Sequence, residues 1–302
     1  MQALEMVGRT VRLVERDAPV PGRGEVAVRV KACGANASDW EFITGRPLYG
    51  RIARVMMRVR VPGSDVAGVV EAVGEGVRGV AVGDRVVGDV FESFGGFAEV
   101  CVAKAERWVK LPDEIGFVEA AALPQSAAIA LTAFDDLAPG AKVLVNGGGG
   151  GSGPFAIQLA KARGGEVWAV DNALKQDVMR EAGADHVVDY TGTDFTTLDL
   201  PLDYVLDLWS TRSPRTLKRC LPKGCLYRMV GGSTGLIIRH GLRGQILMVK
   251  QGPALTARAV ALVQDGTWAP HIGEVVPLVR GPEALARMGA GQIPGKLVFT
   301  VS

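Results

Sequence analysis

Residues 143–158 read VLVNGGGGGSGPFAIQ. An apolar, strand-like segment leads into five consecutive glycines, and a helix-like segment follows them. A flexible linker would have polar flanks without periodicity, whereas these flanks are VLV and FAIQLA. The pattern therefore predicts a tight turn between a strand and a helix, with a bare backbone that approaches a charged group closely.

The spacing of three of these glycines fits the fingerprint of a dinucleotide-binding turn, G-x-G-x-x-G. In such a turn the glycines permit a sharp bend and a close approach to a pyrophosphate, and the amides at the helix N-terminus attract the anion. Pro154 suits the first helical turn, where its missing N–H costs nothing. We expect the following turn residues to bind the cofactor: Gly148, Gly150, Gly151, Ser152 and Gly153.

An acidic residue ends the next predicted strand, EVWAVD, about 20 residues beyond the turn. Asp171 there would accept the ribose hydroxyls of the adenosine and repel a 2′-phosphate, which favours NADH over NADPH. Lys175 is a nearby ammonium that would instead meet a phosphate, and Asp171 also suits a helix N-cap. The cofactor is therefore NADH or NADPH, with NADH favoured.

The composition excludes several classes of protein. The 302-residue chain is 48% hydrophobic with a formal net charge of +2, which predicts a globular core and no general nucleic-acid binding. Its four scattered cysteines disfavour a zinc ribbon and suit a reducing compartment. No signal-peptide pattern is present, and no stretch approaches the ~18 apolar residues of a membrane span. We expect a cytoplasmic protein with no nucleic-acid and no membrane partner.

Two kinds of pattern divide the chain. Residues 1–113 carry short β-branched runs punctuated by Gly and Pro, which predict a β-rich, barrel-like domain. Residues 114–265 alternate strands with helices, which predicts a parallel sheet covered by helices. The first helix is predicted to start at Pro112-Asp113, and the last strand is predicted at 245–250. Short strands return in 266–302, and we expect this tail to complete the first domain.

Seven segments, in order along nearly the whole chain, resemble the medium-chain dehydrogenase/reductase superfamily, specifically its zinc-independent quinone oxidoreductase-like branch. The resemblance implies an α/β protein with a GroES-like β-rich catalytic domain, a Rossmann doubly wound parallel-sheet cofactor domain, and nicotinamide in the cleft between them. The segments are VPGSDVAGVVEAVGEGV (61–77), VGDRVVG (82–88), GGFAEV (95–100), AAALPQSAAIALTAF (120–134), the glycine turn, EAGADHVVDY (181–190) and GKLVFTV (295–301).

The same resemblance shows which residues occupy the zinc-ligand positions of zinc-dependent relatives. The positions of the catalytic metal ligands in zinc-dependent relatives resemble Asn36, Ser64 and Ala128, none of which is a good zinc ligand. The four-cysteine cluster of a structural zinc is also missing from the sequence, which holds only three histidines. We expect no zinc and no other metal site.

The resemblance also implies three candidate catalytic residues. Asn36 would offer an amide donor to a substrate oxygen, or it serves only as a turn-forming residue. Tyr49 would donate a proton or stack on a substrate ring, or it is an ordinary half-buried loop tyrosine. Thr132 would lie beside the nicotinamide, or it bonds back within its helix. Asp39 and Trp40 are expected to shape the pocket.

Three further residues are assigned to cofactor binding. Tyr190 and Lys296 belong to segments that resemble the family's, and the resemblance alone carries their assignment. Trp209 follows the carboxyl end of a predicted strand, the side on which such sheets bind ligands, and its indole either narrows the pocket or touches the cofactor.

Residues 51–60, RIARVMMRVR, combine four arginines with an apolar stripe. The segment is either a lid favouring acidic or acyl substrates, or a solvated loop that packs Ile52, Val55 and Met56 inward. The second interpretation is favoured.

Without a Lewis acid, alcohol oxidation lacks its main stabiliser, so reduction of a quinone or an α,β-unsaturated carbonyl suits the site better. The leading hypothesis is an NAD(P)H-dependent reductase acting on such a small molecule. An alcohol/aldehyde dehydrogenase and a non-catalytic nucleotide-binding interaction protein are the alternatives. Because family dimers often pair sheets near 233–250, we expect a homodimer.

Overall fold

The computed structural model describes residues 1–301, and the chain divides into two compact units. Residues 1–125, together with the chain from 251 onward, form the β-rich unit. Residues 126–250 form the parallel-sheet unit. The strands in chain order are β1 (Gln2–Val7), β2 (Thr10–Glu15), β3 (Glu25–Ala35), β4 (Asp65–Val73), β5 (Arg85–Asp89), β6 (Val100–Lys104), β7 (Trp108–Lys110), β8 (Lys142–Asn146), β9 (Glu166–Asp171), β10 (His186–Asp189), β11 (Tyr204–Ser210), β12 (Leu226–Gly232), β13 (Ile272–Pro277) and β14 (Lys296–Thr300).

Ten α-helices connect and cover these strands in the described residues 1–301. Within the same range, none is long and apolar enough to cross a membrane. The helices are α1 (Ala37–Thr44), α2 (Leu48–Met56), α3 (Phe117–Ala121), α4 (Pro124–Phe134), α5 (Gly153–Ala162), α6 (Gln176–Glu181), α7 (Pro214–Cys220), α8 (Thr234–Gly241), α9 (Pro253–Gln264) and α10 (Gly281–Gly289).

The β-rich unit is built on one seven-stranded sheet in the order β13-β14-β3-β4-β5-β7, with β6 also paired to β3. The valine-rich strand β3 is at its centre, since β-branched side chains suit a pleated, buried surface. Strands β14 and β4 flank β3 on either side and run antiparallel to it. The register therefore brings three polar positions together: Asn36 follows β3, Asp65 begins β4, and Lys296 begins β14.

The parallel-sheet unit has the strand order β10-β9-β8-β11-β12, and every pair in it is parallel. This is the first five-strand order of a doubly wound dinucleotide-binding sheet, 3-2-1-4-5. The order reverses between β8 and β11, and ligands bind at the carboxyl end of the strands at such a switch point. The glycine turn directly follows β8, so the predicted cofactor turn lies at this position.

The predicted strand at 245–250 is wrong. Only one β-bridge forms there, between Met229 and Ile246, and the rest of the segment is irregular. The apolar pattern ILMV looks like a strand locally, but a strand also needs a partner over several residues, which β12 supplies only at this one point.

The predicted helix start near Pro112-Asp113 is also wrong. Residues 113–115 form a turn and bend, and the first helix there is α3, which begins at Phe117 after Gly116. Helix α3 contacts β3, β4 and β5, and α9 contacts β5 and β7. Because these helices pack on the β-rich sheet, the observed divisions lie at 125/126 and 250/251 rather than at 113/114 and 265/266.

Candidate functional site

The glycine turn joins β8 to α5 in the parallel-sheet unit. The Gly150 N–H donates to the Gly147 carbonyl at 3.1 Å, which closes the turn. Ser152 is the N-cap residue of α5, and its side chain makes no capping hydrogen bond. A ten-residue helix thus points its N-terminal dipole at the turn, as anion-binding helices do.

Two glycines of the turn differ in what the protein itself requires. A Cβ on Gly153 would lie 2.2 Å from the Gly148 carbonyl oxygen, so packing of the turn against α5 excludes any side chain. A Cβ on Gly150 would lie 3.5 Å from its nearest neighbour, the Gly147 carbonyl oxygen, which is an ordinary contact. The fold does not demand glycine at position 150, whereas close approach of a pyrophosphate does. The turn therefore fits the dinucleotide.

Asp171 ends β9 beside this turn. Its carboxylate accepts the Gly149 N–H at 3.1 Å and the Asn172 N–H at 2.9 Å, and it forms an ion pair with Lys175 at 3.2 Å. Tyr190 donates its backbone N–H to the Asp171 carbonyl at 3.1 Å, and its side chain is about half exposed. The structure thus brings together the predicted turn, acid, lysine and tyrosine.

Trp209 lies near the carboxyl end of β11, and 45% of its side chain is exposed. Its carbonyl accepts from the Asn146 side-chain amide at 3.4 Å, and the same amide group donates to Asp207 at 2.7 Å. Asp207 is fully buried and also accepts from the Tyr227 hydroxyl at 2.6 Å. Burial raises the pKa of Asp207. This network was not predicted, although an acid inside the apolar run YVLDLW indicates a buried polar group.

Thr132 lies in α4 and is partly buried. Its hydroxyl oxygen accepts the Lys250 N–H at 3.2 Å, which ties this helix to the irregular segment after Ile246. The hydroxyl therefore has a partner outside its own helix, and its predicted place beside the nicotinamide stays a prediction.

The β-rich unit contains a buried cation. The Lys296 ammonium is only about 1% exposed and donates to the Asn36 amide oxygen at 2.5 Å and to Asp65 at 2.9 Å. Asp65 in turn accepts the Gln125 N–H at 3.2 Å. Lys296 was predicted to bind cofactor, and the structure instead directs its ammonium to Asn36 and Asp65. Asp65 was not predicted, although two opposite charges that begin two apolar strands, DVAGVV and KLVFT, indicate a buried pair.

Asn36 is fixed on both sides of its amide. Its oxygen accepts from Lys296, and its nitrogen donates to the Ser64 hydroxyl at 3.4 Å. Asp39, on the first turn of α1, accepts the Asn36 N–H at 2.8 Å and the Gly63 N–H at 2.9 Å. Asp39 thus holds the two backbone segments that carry Asn36 and Ser64, and burial raises its pKa to about 7. Its predicted role in shaping the substrate pocket stays a prediction.

Trp40 packs beside Gly289 of α10, where a Cβ would lie 2.1 Å from the indole. A third buried acid of the β-rich unit, Asp89, is the register partner of Asp65 on β5. Burial and the nearby Asp65 raise the pKa of Asp89 to about 7. Lys296 is therefore set among several acidic groups that it helps to compensate.

Tyr49 lies on α2 and donates its hydroxyl hydrogen to Glu41 of α1 at 2.6 Å. Burial raises the pKa of Glu41 to about 7, and burial together with the adjacent carboxyl raises the pKa of Tyr49. A tyrosine with a raised pKa gives up its proton reluctantly. Tyr49 therefore links two helices, and its predicted role as a proton donor is not favoured by this geometry.

The residues around Asn36 do not fit a zinc ion. Asn36 and Ser64 are poor zinc ligands, and the buried Lys296 ammonium among them would repel a metal cation. Within residues 1–301, no three His, Cys, Asp or Glu side chains are grouped so that they would hold a metal ion.

Comparisons with known proteins agree with this architecture. Residues 22–113 match the alcohol dehydrogenase GroES-like domain, and residues 182–299 match the zinc-binding dehydrogenase family. The chain is 30% identical to the chloroplastic quinone-oxidoreductase QR1 of Triphysaria versicolor over 94% of this chain and 92% of that protein. It is 32% identical to the polyketide synthase GfsB of Streptomyces halstedii over 92% of this chain, but spans only 5% of that protein.

Solved structures share the fold across the full chain. The quinone oxidoreductase from Coxiella burnetii has a TM-score of 0.87 at 24% identity and covers 100% of this chain and 99% of its own, which shows the fold alone. A mycobacterial protein solved in complex with NADPH has a TM-score of 0.81 at 25% identity and covers 99% of each chain. The chain belongs to the medium-chain dehydrogenase/reductase superfamily, in its quinone-oxidoreductase-like branch.

Proposed function

We propose that the protein is a zinc-independent, NADH-preferring reductase that delivers hydride to a quinone or an α,β-unsaturated carbonyl compound. The observation that carries this proposal is the buried Lys296 ammonium, bonded to Asn36 where the resemblance places a zinc ligand. The positive charge near the substrate oxygen then comes from the protein itself rather than from a metal.

The cofactor would be held by the glycine turn after β8, with Asp171 accepting the adenosine ribose hydroxyls. The bound cofactor would supply the hydride, which is the reducing equivalent of the reaction. The close backbone approach permitted at Gly150 and the dipole of α5 provide for its pyrophosphate. The neighbouring structure that binds NADPH supports a nicotinamide cofactor.

Asn36 would stabilise the charge that develops on the substrate oxygen. Because Lys296 donates to the Asn36 oxygen, the amide cannot flip, and its NH₂ group is held as the donor. One of its hydrogens is directed to Ser64, and the second would donate to the substrate oxygen. The ammonium polarises the amide and strengthens that donor. Hydride adds to the electrophilic carbon, and water supplies the balancing proton, since Tyr49 is bonded to Glu41.

The catalytic test is NADH oxidation by chelator-treated enzyme with a panel of simple quinones, enones, aldehydes and alcohols. We expect turnover with quinones or enones, and a fall in kcat/KM of about 100-fold in Asn36→Ala, the usual loss for one oxyanion donor. The dissociation constant for NADH should not change. Ser38→Ala is the matched control, because Ser38 lies on the same helix turn and bonds to Gln125.

The other outcomes of this panel each reject the proposal. NADH binding without turnover of any compound would indicate a nucleotide-binding protein that is not an enzyme. Turnover of alcohols that disappears with the chelator and returns with zinc would indicate an alcohol dehydrogenase.

The cofactor preference is tested at Asp171. Asp171→Asn keeps the size of the side chain but removes its charge, so repulsion of a 2′-phosphate is lost. We expect the ratio of the NADPH to NADH dissociation constants to fall about tenfold, because one charge contact is worth about 1.4 kcal/mol. Asp177→Asn is the control, since Asp177 is an exposed acid on α6. An unchanged ratio in Asp171→Asn would remove Asp171 as the ribose residue.

We also propose the homodimer and the cytoplasmic location expected from the sequence. Light scattering of the purified chain tests the dimer, and a monomeric mass at micromolar concentration would reject it.

A further inference from the structure

Helix α2 is packed with its apolar side facing outward. Its four large apolar residues are between 52% exposed (Ile52) and 78% exposed (Met56). The inward side carries Gly50, which is buried, and Arg54, which donates to the Gly8 carbonyl at 3.0 Å and to two carbonyls of α1. The four exposed apolar residues are Leu48, Ile52, Val55 and Met56.

The sequence expectation that Ile52, Val55 and Met56 pack inward is therefore wrong. The reason is that Gly50 and Arg54, four residues apart, lie on the opposite side of the helix and make its contacts with the rest of the unit. A Cβ on Gly50 would lie 2.8 Å from the Glu41 carbonyl oxygen, so only glycine permits this close contact with α1. Once Gly50 and Arg54 face α1, the apolar stripe must face away from it.

Arginines are frequent in the sequence around the exposed apolar residues. Residues 45–63 hold five arginines and no acidic residue. Arg58 adopts a left-handed backbone conformation, with φ of 53°, and its N–H donates to the Val55 carbonyl, so the helix ends and the chain turns. Arg58 and Arg60 then line a groove of about 280 Å³, together with Arg16, and no acidic side chain lines it within the described residues.

We propose that this surface docks on a bilayer that contains anionic phospholipid. The docking face is defined by Leu48, Ile52, Val55 and Met56, with Arg51, Arg58 and Arg60. An interfacial helix lies in the plane of a membrane with its apolar side among the acyl chains and its basic residues at the phosphate level, which is the chemistry of this face. The sequence expectation of no membrane partner considered only spanning segments, and the proposal replaces it.

The charge distribution favours a membrane over a second copy of the chain. In a twofold contact the same patch meets itself, so the arginines of both copies would approach one another and repel. The hot spots of specific protein interfaces are enriched in Trp, Tyr and Arg, and this face offers arginines without an aromatic anchor. The only aromatic residue of α2, Tyr49, bonds to Glu41 and is not part of the docking face. An anionic bilayer needs only an apolar stripe and positive charge, and the face supplies both.

The test is flotation of the full-length protein with vesicles of phosphatidylcholine alone or with 30% phosphatidylglycerol, at low and high salt. We expect binding to the anionic vesicles that weakens as salt rises. Removing three arginines should lower the partition coefficient about 100-fold, or about fivefold each. Removing the apolar side chains should lower it at least tenfold. The two test variants are Arg51→Gln/Arg58→Gln/Arg60→Gln and Ile52→Ser/Val55→Ser/Met56→Ser.

Control variants carry two substitutions of each kind at exposed positions of the parallel-sheet unit, where we expect no effect on flotation. Because every substituted side chain is exposed, thermal melting should be unchanged in all variants. The control variants are Arg215→Gln/Arg219→Gln and Leu242→Ser/Met248→Ser.

Three results would overturn the proposal. The first is no binding to anionic vesicles, and the second is equal binding to neutral ones. The third is a change from dimer to monomer in the Ile52→Ser/Val55→Ser/Met56→Ser variant, which would show that the face contacts a second copy. Reductase activity in solution is a separate measurement, so this proposal and the proposed function fail independently.

Discussion

At the scale of single residues, Gly150 and Gly153 separate what the fold needs from what a ligand needs. Gly153→Ala should destabilise the protein by about 1–3 kcal/mol, because its Cβ would overlap the Gly148 carbonyl. Gly150→Ala should leave the melting temperature nearly unchanged and raise the dissociation constant for NADH at least tenfold. Thermal melting and NADH fluorescence titration measure both quantities. If Gly150→Ala bound NADH as tightly as the unaltered protein, no pyrophosphate would approach the turn there.

Sequence predicts which residues lie together best where their placement depends on neighbours in the chain. The glycine turn and Asp171 are recognised from spacing along one βαβ unit, and the structure brings them into contact. Lys296 is different, because its partners Asn36 and Asp65 are more than 200 residues away. The register of β14 beside β3 brings its ammonium to these partners, which spacing along the chain does not show.

At the scale of elements, α1 and α2 are joined by the hydrogen bond from Tyr49 to Glu41. Glu41 has an ordinary pKa of 4.5 in the unfolded chain, and burial raises it to about 7 in the folded protein. Between these values the folded state binds more protons than the unfolded state, so the free energy of unfolding falls as pH rises from about 4.5 to about 7. The contribution of Glu41 is fully present below this window and lost above it.

Glu41→Gln should remove this part of the pH dependence while keeping an acceptor for Tyr49. We expect the loss of unfolding free energy from pH 5 to pH 7 to be about 1–2 kcal/mol smaller in the variant. Denaturant unfolding of both proteins at several pH values measures the difference. Asp39 and Asp89 titrate in the same range, so only the difference between the two proteins reports on Glu41. Parallel pH profiles would show that Glu41 is ionised in the folded protein at pH 5.

The strands of the parallel-sheet unit were predicted more accurately than the helices of the β-rich unit, because a buried parallel strand carries a clearer sequence pattern. The predicted strand EVWAVD coincides with β9, since a buried parallel strand is apolar over its whole length. Residues 51–60 were predicted as a lid or a loop, and the structure has a helix there that ends at Met56. Its apolar stripe faces solvent, so the usual link between amphipathicity and burial does not hold for this helix. The strand prediction for residues 245–250 is wrong because no partner strand pairs with the segment over several residues.

At the scale of the whole molecule, the chain leaves the β-rich unit, builds the parallel sheet, and returns. The return was predicted from the short strands near the C-terminus, and β14 does insert between β13 and β3. The exact points of exit and return were not predictable from composition, because α3 and α9 have helical patterns like those of the parallel-sheet unit. Which sheet a helix packs on is decided by contacts distant in the sequence.

Deletion of the chain from residue 291 onward should therefore unfold the β-rich unit rather than trim an end. Three fully buried side chains of β14, Leu297, Val298 and Phe299, each contribute about 1.5–3 kcal/mol by burial. Loss of Lys296 also leaves Asp65 as an unpaired buried charge, at a cost of about 3–5 kcal/mol. Together these losses are comparable to the whole stability of an ordinary domain, about 5–15 kcal/mol.

Near-ultraviolet circular dichroism and limited trypsin digestion of the truncated chain measure this loss. We expect rapid cleavage within residues 1–125, while fragments from residues 126–250 persist, since the truncation removes none of the strands β8 to β12. Val279→Ser, an exposed change in the same C-terminal segment, is the control and should keep the native spectrum. A truncated chain that resisted trypsin throughout residues 1–125 would show that β3 and β4 hold the sheet without β14, and that the C-terminal return is dispensable for folding.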